Sequence, residues 1–296
     1  MTPDSHKSES LAVLFGNNRQ DAFIPAISAL LEGLAEAGFR LAVESGFFNY
    51  IVSRGVNMPA GTVAAMTLPE DAAVLLSIGG DGTFLSAVCW ANGSNVPLLG
   101  VNTGHLGYLA PYGIGDIRGI TAAISGRDAR IERRRMLHLC AEDMPAGFWP
   151  YALNEVAVVK EETGSTINVR AWLDDIFLAD YRADGLVVST PTGSTGYNLS
   201  VGGPLLQPEL NALVLSPIAP HSLTLRPLVV SARSSLKLAV ESRAGTYRLS
   251  LDGRSFTLPC SAVMEIKESP FAASVVMPAS ESFVSLLRSK LYWGRG

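Results

Sequence analysis

Read for hydrophobic pattern alone, the chain falls into two grammars. The first opens with Leu11-Ala12-Val13-Leu14-Phe15, a continuous apolar run of the length and kind that a strand buried on both faces requires. Gly16-Asn17-Asn18 follows as a turn. From Asp21 to Phe39, Ile24, Ile27, Leu30, Leu31 and Leu34 recur at helical spacing, and Gly38 stands where a helix C-terminus favours glycine. Arg40–Glu44 reads as a second strand, Phe47–Val52 as a helix, and Pro59–Pro69 as a loop with a weak short element inside it. Ala72–Ser77 is another buried strand, followed by Ile78-Gly79-Gly80-Asp81-Gly82-Thr83-Phe84-Leu85 and a helix to about Trp90; Val96–Val101 is a strand again. Strands that alternate with helices predict a parallel sheet covered on both faces, with ligands bound beyond the carboxyl ends of its strands.

The grammar changes after about Tyr112. One more helix is predicted over Ile117–Ile124. Short strand-like runs then follow one another between turn signals: Arg130–Cys140, Ala152–Lys160, Thr166–Leu173, Ile176–Tyr181, Gly185–Thr190, Ala212–Leu215, Leu225–Val230, Ser235–Val240 and Tyr247–Leu251, with Met264–Lys267 and Ala273–Met277 as two more. Short strands without intervening helices predict an all-β sandwich. Phe283, Leu286, Leu287 and Leu291 return to helical spacing. The expected organisation is an α/β domain with a parallel sheet over residues 1–112, a β-sandwich over 113–272, and a tail over 273–296 whose helix packs back on the first domain.

Composition narrows the picture. Of 296 residues 48% are hydrophobic and only 17% charged, which leaves surface to be buried in an oligomer. A net charge of −4 argues against a nucleic-acid binder. Cys89, Cys140 and Cys260 are scattered, as in a reducing compartment, and show no zinc-ligand spacing. No apolar run is long enough to span a membrane, and the polar residues 1–10 lack the core of a signal peptide. The expectation is a cytoplasmic protein.

Candidate chemistry sits in four stretches. In the Ile78–Leu85 turn, Gly79, Gly80 and Gly82 allow close backbone approach, and the amides of Gly82 and Thr83 at a helix start suit a phosphate. Asp81 beside an anion site calls for a role such as proton acceptor, metal ligand or hydroxyl binder. The stretch matches neither the P-loop nor the dinucleotide fingerprint. Taken alone, it is also compatible with a plain strand–helix turn capped by Asp81. The second stretch, Leu99–Leu109, carries Gly100, Gly104 and Gly107 with His105 and Tyr108; Tyr108 either stacks on a planar ligand or closes the domain boundary. In the third, Asn154-Glu155 interrupts an apolar strand with a donor–acceptor pair suited to ribose hydroxyls or an adenine edge, or forms an ordinary bulge. The fourth, Tyr181–Leu206, gathers Ser189, Thr190, Thr192, Ser194 and Thr195 around Pro191, Gly193 and Gly196, as a polar ligand held close to backbone would require.

Together these stretches resemble the NAD kinase family. Its motifs appear here in order: I-G-G-D-G-T, G-V-N-T-G-H-L-G-Y-L, L-N-E-V, the Asp184–Pro204 block, Pro220-His221-Ser222-Leu223 with Arg226-Pro227-Leu228-Val229, and Asp252-Gly253-Arg254. The resemblance covers about residues 11–290. The GGDG turn is shared with lipid kinases and phosphofructokinases; the Asn-Glu pair followed by T-P-T-G-S-T-G-Y-N is more particular. Gly196 stands where alanine is commoner, and Arg254 where glutamine is common.

The resemblance implies transfer of the γ-phosphoryl of ATP, with Mg²⁺ or another divalent metal, to the 2′-hydroxyl of the adenosine ribose of NAD, giving NADP and ADP. It implies Asp81 as general base and Gly79, Gly80, Gly82 and Thr83 around the ATP phosphates. On the NAD side it implies Asp81 and Gly82 with Asn154 and Glu155 at the ribose or adenine. Asp184 would meet the nicotinamide carboxamide or the adenine edge, and Thr195, Gly196, Tyr197 and Ser200 the adenine pocket. Arg182, His105 and Tyr108 are further candidates. Arg133-Arg134-Arg135 either faces phosphates or ends a solvated strand, and His221 makes a structural hydrogen bond. No side-chain metal site is assigned. A homodimer or homotetramer is implied, with part of the pocket open to contribution from a neighbouring subunit. Two other readings stand beside this one: a diacylglycerol- or sphingosine-type lipid kinase of the GGDG group, and a nonenzymatic NAD(P)-binding sensor.

Overall fold

The computed structural model describes residues 10–104, 107–162 and 164–294. These form two compact units. One comprises the residues up to Glu132 together with those from Ser274 onward; the other runs from Arg133 to Ala273.

The first unit carries β1 (Leu11–Gly16), α1 (Ile24–Glu36), β2 (Arg40–Glu44), α2 (Ser45–Ser53), β3 (Val63–Ala65), β4 (Ala72–Ile78), α3 (Asp81–Trp90), β5 (Leu98–Asn102), β6 (Tyr112–Gly113), α4 (Ile117–Ile124) and β7 (Ala129–Arg134). The second carries β8 (Leu137–Ala141), β9 (Tyr151–Ala152), β10 (Glu155–Val159), β11 (Ile167–Leu173), β12 (Ile176–Ala183), β13 (Gly185–Ser189), α5 (Tyr197–Ser200), β14 (Ala212–Ile218), β15 (Leu228–Ser231), β16 (Leu236–Glu241), β17 (Thr246–Leu251), β18 (Arg254–Pro259) and β19 (Met264–Glu268). The chain then returns to the first unit through β20 (Ala273–Pro278) and α6 (Phe283–Lys290).

The eight-stranded sheet of the first unit runs β3-β2-β1-β4-β5-β20-β7, with β6 beside β5. The pairs β1–β2, β1–β4, β4–β5 and β5–β20 are parallel. Chain order reverses between β1 and β4, and that is the place where an open parallel sheet leaves a crevice beyond its carboxyl ends. The continuous apolar runs follow from burial on both faces: every residue of β1 except Phe15, and every residue of β5, is buried. α1 seats Ile27, Leu30, Leu31 and Leu34 in the core, and Gly38, at φ 86°, ends it. At Gly33 a Cβ would lie 2.6 Å from Ile117 Cγ2, so glycine sets the approach of α1 to α4. α2 starts two residues earlier than Phe47 because the Glu44 carboxylate accepts from the amides of Gly46 and Phe47, at 2.9 and 2.8 Å.

The second unit is a sandwich of two six-stranded sheets, β15-β14-β13-β10-β17-β18 and β12-β11-β16-β19-β8-β9, in which every neighbouring pair of strands is antiparallel. One core holds their inner faces, with Tyr247, Val156, Leu186 and Leu238 fully buried. Strands such as β16 alternate buried and outward residues, as packing on one face dictates.

Beyond the start of α2, the structure differs from the sequence expectation in larger ways. The boundary expected at residue 112 falls inside the first unit, because α4 packs on α1 and β7 joins the sheet. The single strand expected over Arg130–Cys140 is two strands in separate units. Between them Arg135 pairs with Glu268, and the Met136 carbonyl accepts from the Ser269 amide at 2.8 Å. The tail returns by a strand as well as a helix: β20 pairs with β5 through Val275 and Val276. β18 was not anticipated. Asp252 and Gly253, at φ 49° and 82°, form the hairpin turn that creates it. No helix among the described residues is long and apolar enough to cross a membrane.

Candidate functional site

In the first unit the glycine turn caps β4 and opens α3. It faces a cavity of about 360 Å³ lined by Phe15, Gly16, Asn17, Gly80, Gly82, Thr83 and Ser86. These residues come from the carboxyl ends of β1 and β4, so the cavity occupies the switch point of the sheet. Gly80, Gly82 and Thr83 thus lie together as anticipated. Gly79 lies beneath them: its amide donates to the Val101 carbonyl at 2.8 Å, and its φ of 147° lets Thr83 fold over it. The Thr83 amide donates to the Gly80 carbonyl, and its hydroxyl accepts from Asn17 Nδ2 at 2.7 Å. Asn17, at the end of β1, was read only as a turn residue. Its signal was a polar side chain directly after the first buried strand.

Asp81 is the first residue of α3. Its Oδ2 accepts from the Tyr108 amide at 2.9 Å and its Oδ1 from the Leu109 amide at 3.0 Å. Two glycines permit this. A Cβ at Gly107 would lie 1.9 Å from Asp81 Oδ1, and one at Gly100 would lie 2.2 Å from the Leu109 carbonyl oxygen. The carboxylate is therefore held by backbone, with little freedom to swing, and each oxygen keeps lone pairs for a ligand. Tyr108 contributes its amide. Its hydroxyl is buried and has no hydrogen-bond partner among the described residues, and burial, then the Asp81 charge, raises its pKa. His105 lies outside the described residues.

In the second unit Asn154 lies in the break between β9 and β10, and Glu155 opens β10. The Asp252 carboxylate holds that break: Oδ2 accepts from the Leu153 amide at 2.6 Å, and Oδ1 from those of Asn154 and Glu155 at 2.8 and 3.1 Å. Sequence reading placed Asp252 in a motif without giving it this task. From the other side Thr190 donates its amide to the Asn154 carbonyl at 2.9 Å and its hydroxyl to the Leu153 carbonyl at 2.6 Å. A Cβ at Gly193 would strike the Asn154 carbonyl oxygen at 2.2 Å.

Much of the hydroxyl-rich stretch is thus spent on the protein itself. Ser189 and Thr190 are buried against the Asn-Glu break, and Ser194 is tied to the backbone of Leu206. Asn198 bridges the carbonyls of Ser194 and Pro204 and accepts from Ser216. Thr195, Gly196, Tyr197 and Ser200 are less enclosed, with Tyr197 and Ser200 exposed. At Gly196 an added methyl would stand 3.2 Å from Glu155 Oε2, so the glycine leaves slightly more room beside that carboxyl than alanine would.

Asn154 Oδ1 and Glu155 Oε2 are buried with no hydrogen-bond partner among the described residues. Burial, then the Asp252 charge, pushes the Glu155 pKa up to about 7, against a hydrogen bond donated by the Tyr197 backbone amide that lowers it. Burial also raises Asp252, while its three amides and Arg254 pull the other way. Glu155 and Asp184 both act electrostatically on the Tyr197 hydroxyl, so the structure gathers these three candidates. Asp184 pairs with Lys160 Nζ at 2.6 Å in a polar cleft of about 830 Å³ that also includes Arg182 and His221. The His221 amide donates to the Arg182 carbonyl at 2.9 Å. Lys160 had not been singled out.

The arginine run divides. Arg134 is buried and reaches the Thr192 hydroxyl, Arg135 pairs with Glu268, and Arg133 is exposed. Arg254 donates to the carbonyls of Trp149 and Tyr151 at 2.9 and 2.6 Å and lies over the rings of Phe148 and Trp149. It anchors the segment before β9. Among the described residues no group of three or more His, Cys, Asp or Glu is disposed to hold a metal.

An open parallel sheet with a GGDG turn at its switch point, joined to an antiparallel sandwich, is the build of a nucleotide-dependent phosphotransferase. Comparison with known proteins is more particular. The ATP-NAD kinase N-terminal domain matches residues 16–129, and the ATP-NAD kinase C-terminal domain matches 153–277. The chain is 42% identical over 282 residues to an NAD kinase of Porphyromonas gingivalis, covering 95% of this chain and 97% of that one. It is 36% identical over 285 residues to an NAD kinase of Flavobacterium psychrophilum, with the same coverage. Among solved structures, yeast NADH kinase complexed with NADH shares the fold, at TM-score 0.87 and 21% identity over 98% of this chain and 89% of that one. An NAD kinase from Archaeoglobus fulgidus in complex with ATP gives TM-score 0.72 at 25% identity, over 95% of this chain and 98% of that one. The chain belongs to the NAD kinase family.

Proposed function

We propose that this protein is an NAD kinase in which Asp81 is the general base. The 2′-hydroxyl oxygen of the adenosine ribose of NAD attacks the γ-phosphorus of ATP, the bond to the β–γ bridging oxygen breaks, ADP leaves, and the hydroxyl proton passes to Asp81. The observation that carries this reading is the Asp81 carboxylate, fixed by the amides of Tyr108 and Leu109 at the start of α3, beside a glycine-lined cavity at the switch point. In that cavity Gly80, Gly82 and Thr83 would meet the ATP phosphates, with Asn17 and Ser86 as further polar contacts.

Asn154 and Glu155 would hold the ribose or adenine of NAD. Their unpartnered buried oxygens suit hydroxyl or amino donors. Thr195, Gly196, Tyr197 and Ser200 would line the adenine, with Arg182 and Asp184 as the remaining contacts. The residues fit a divalent ion carried on the nucleotide rather than held in a side-chain cage: the side-chain oxygens at the turn and its cavity, on Asn17, Asp81, Thr83 and Ser86, include one carboxylate. When bound, such an ion supplies charge neutralisation on the phosphates.

The reading includes a homodimer or homotetramer in the cytoplasm. The low charged fraction, the exposed Leu223, Leu228 and Val229 at and before edge strand β15, and three free cysteines support it. Purified protein with ATP, Mg²⁺ and NAD should form NADP, read by a coupled NADPH assay. Asp81→Asn should keep NAD affinity within a few-fold and lose at least about 100-fold in turnover. Near-normal turnover of Asp81→Asn would remove the general base from the mechanism. NAD binding without NADP formation in the unaltered protein would favour the sensor.

A further inference from the structure

We propose that Gln20, on the loop after β1, is a positioning residue for the nucleotide phosphates: it locks the peptide group that enters the glycine turn, so that the amides of the turn are set before ATP arrives. The inference rests on the reading of Gly80, Gly82 and Thr83 as the phosphate contacts.

The peptide group between Ile78 and Gly79 is pinned at both edges. Its carbonyl accepts from Gln20 Nε2 at 2.7 Å, and its N–H donates to the Val101 carbonyl at 2.8 Å. A peptide group is planar, so bonds on its two edges fix its orientation. Gly79 then turns the chain at φ 147°, and the amides that follow take their direction from that fixed plane. The same loop holds the far side of the turn, where Asn17 Nδ2 donates to the Thr83 hydroxyl at 2.7 Å. Thr83 and Phe84 donate their amides back to the Gly80 carbonyl, which leaves the amides before them to a phosphate.

Gln20 is itself held from α2. Its backbone amide donates to the Tyr50 hydroxyl at 2.9 Å, and that hydroxyl donates to Asp21 Oδ1 at 3.0 Å. Arg54 Nε closes the chain on the same oxygen at 2.5 Å. Tyr50 is buried and stacked on Phe47. All these residues belong to the first compact unit. A helix therefore stands behind the turn, and the Gln20 side chain connects the two.

A simpler role for this side chain is to anchor the loop for stability alone. The balance of hydrogen bonds argues against it. Gln20 is 2% exposed, and its Oε1 is buried with no hydrogen-bond partner among the described residues. The bond made by Nε2 and the desolvation of the unpaired Oε1 are similar in size and opposite in sign, so the amide adds little net stability. An apolar side chain of the same length would fill the space without that penalty. What the amide alone supplies is direction, a donor aimed at the carbonyl through which the chain enters the turn. Donors fixed in advance bind a polyanion without an ordering cost at the moment of binding.

The test compares the unaltered protein with Gln20→Met and Tyr50→Phe. Calorimetry measures NAD binding, and then binding of the non-hydrolysable analogue AMP-PNP with Mg²⁺ to protein saturated with NAD; steady-state kinetics supplies KM and kcat. In Gln20→Met, Kd for AMP-PNP and KM for ATP should rise about 10-fold, the equivalent of one lost hydrogen bond. Kd for NAD should stay within about 2-fold and kcat at saturating ATP within about 3-fold, because ground state and transition state lose the same contacts. Its melting temperature should stay close to that of the unaltered protein. Tyr50→Phe removes the acceptor of the Gln20 amide and should weaken AMP-PNP in the same direction, by about 3-fold. A folded Gln20→Met with unchanged AMP-PNP affinity would overturn the inference, as would equal weakening of AMP-PNP and NAD. Should that variant not fold, unchanged AMP-PNP affinity in Tyr50→Phe would overturn it equally. Absence of AMP-PNP binding to the unaltered protein would instead overturn the reading on which the inference rests.

Discussion

Asp81 and Glu155 are two carboxyls set to different tasks by their surroundings. Asp81 receives two amides through Oδ1 and Oδ2, and its place depends on Gly107 having no side chain. Gly107→Ala should therefore displace the carboxylate or the loop and lower kcat by about 100-fold, since a misplacement near 1 Å at a reacting group has that effect. A melting temperature close to that of the unaltered protein would show that the loss is local. Glu155 is pushed the other way. Its folded-state pKa of about 7 lies above the ordinary value of 4.5, so the folded form binds the extra proton. Glu155 contributes this stability fully below about pH 4.5 and loses it as pH rises through about 7. Glu155→Gln should match the unaltered protein near pH 5 and exceed it at pH 8 by up to about 3 kcal/mol in urea unfolding. Equal pH dependence of the two proteins would contradict the assignment. Sequence could supply the identity of both residues. It could not supply their partners, because Tyr108, Leu109 and Asp252 meet them through backbone amides or from a distant hairpin.

At the scale of elements, turns carry the site. The Asn154–Glu155 break is gripped from one side by the β17–β18 hairpin through Asp252 and from the other by the turn after β13 through Thr190. Asp252→Ala would leave three amides without their acceptor and should destabilise the protein by about 3 to 5 kcal/mol. Asp252→Asn, which keeps one oxygen acceptor, should fold and raise KM for NAD more than it lowers kcat. Steady-state kinetics with urea unfolding separates the two effects. Elements with a strong period or a continuous apolar run were legible from sequence: β1, β4, α4 and β16 fall where the pattern put them. β18 is not predicted because Asp252-Gly253 is read only as part of a family motif, when it is also a hairpin turn. The hydroxyls of Ser189, Thr190 and Ser194 misled in the opposite direction. Polar residues that satisfy buried backbone look, in sequence, the same as residues that await a ligand.

For the whole molecule, the order of the chain and the order of the sheet disagree. β20 stands between β5 and β7 and pairs with β5, yet the entire sandwich separates it in sequence from both. Residues 133–273 are contiguous and have their own core, so that fragment should fold alone with a cooperative urea transition. A fragment ending at residue 132 lacks β20 and should stay unfolded or aggregate, because the buried apolar strand β5 loses its β20 partner and β7 loses its neighbour in the sheet. Adding residues 274–294 as a separate peptide should restore some structure, measurable by circular dichroism. The two-domain plan was visible in the change from helical to two-residue periodicity. The interleaving was not, since a short apolar strand such as Ala273–Pro278 carries no label for the sheet that will receive it.

That interleaving has a consequence for biosynthesis. A ribosome delivers the chain from its N-terminus, and the sandwich leaves the exit tunnel complete while the sheet that bears Asp81 still lacks a middle strand. The catalytic half must wait for β20, so a chain that stops before residue 274 carries a folded sandwich beside an incomplete sheet.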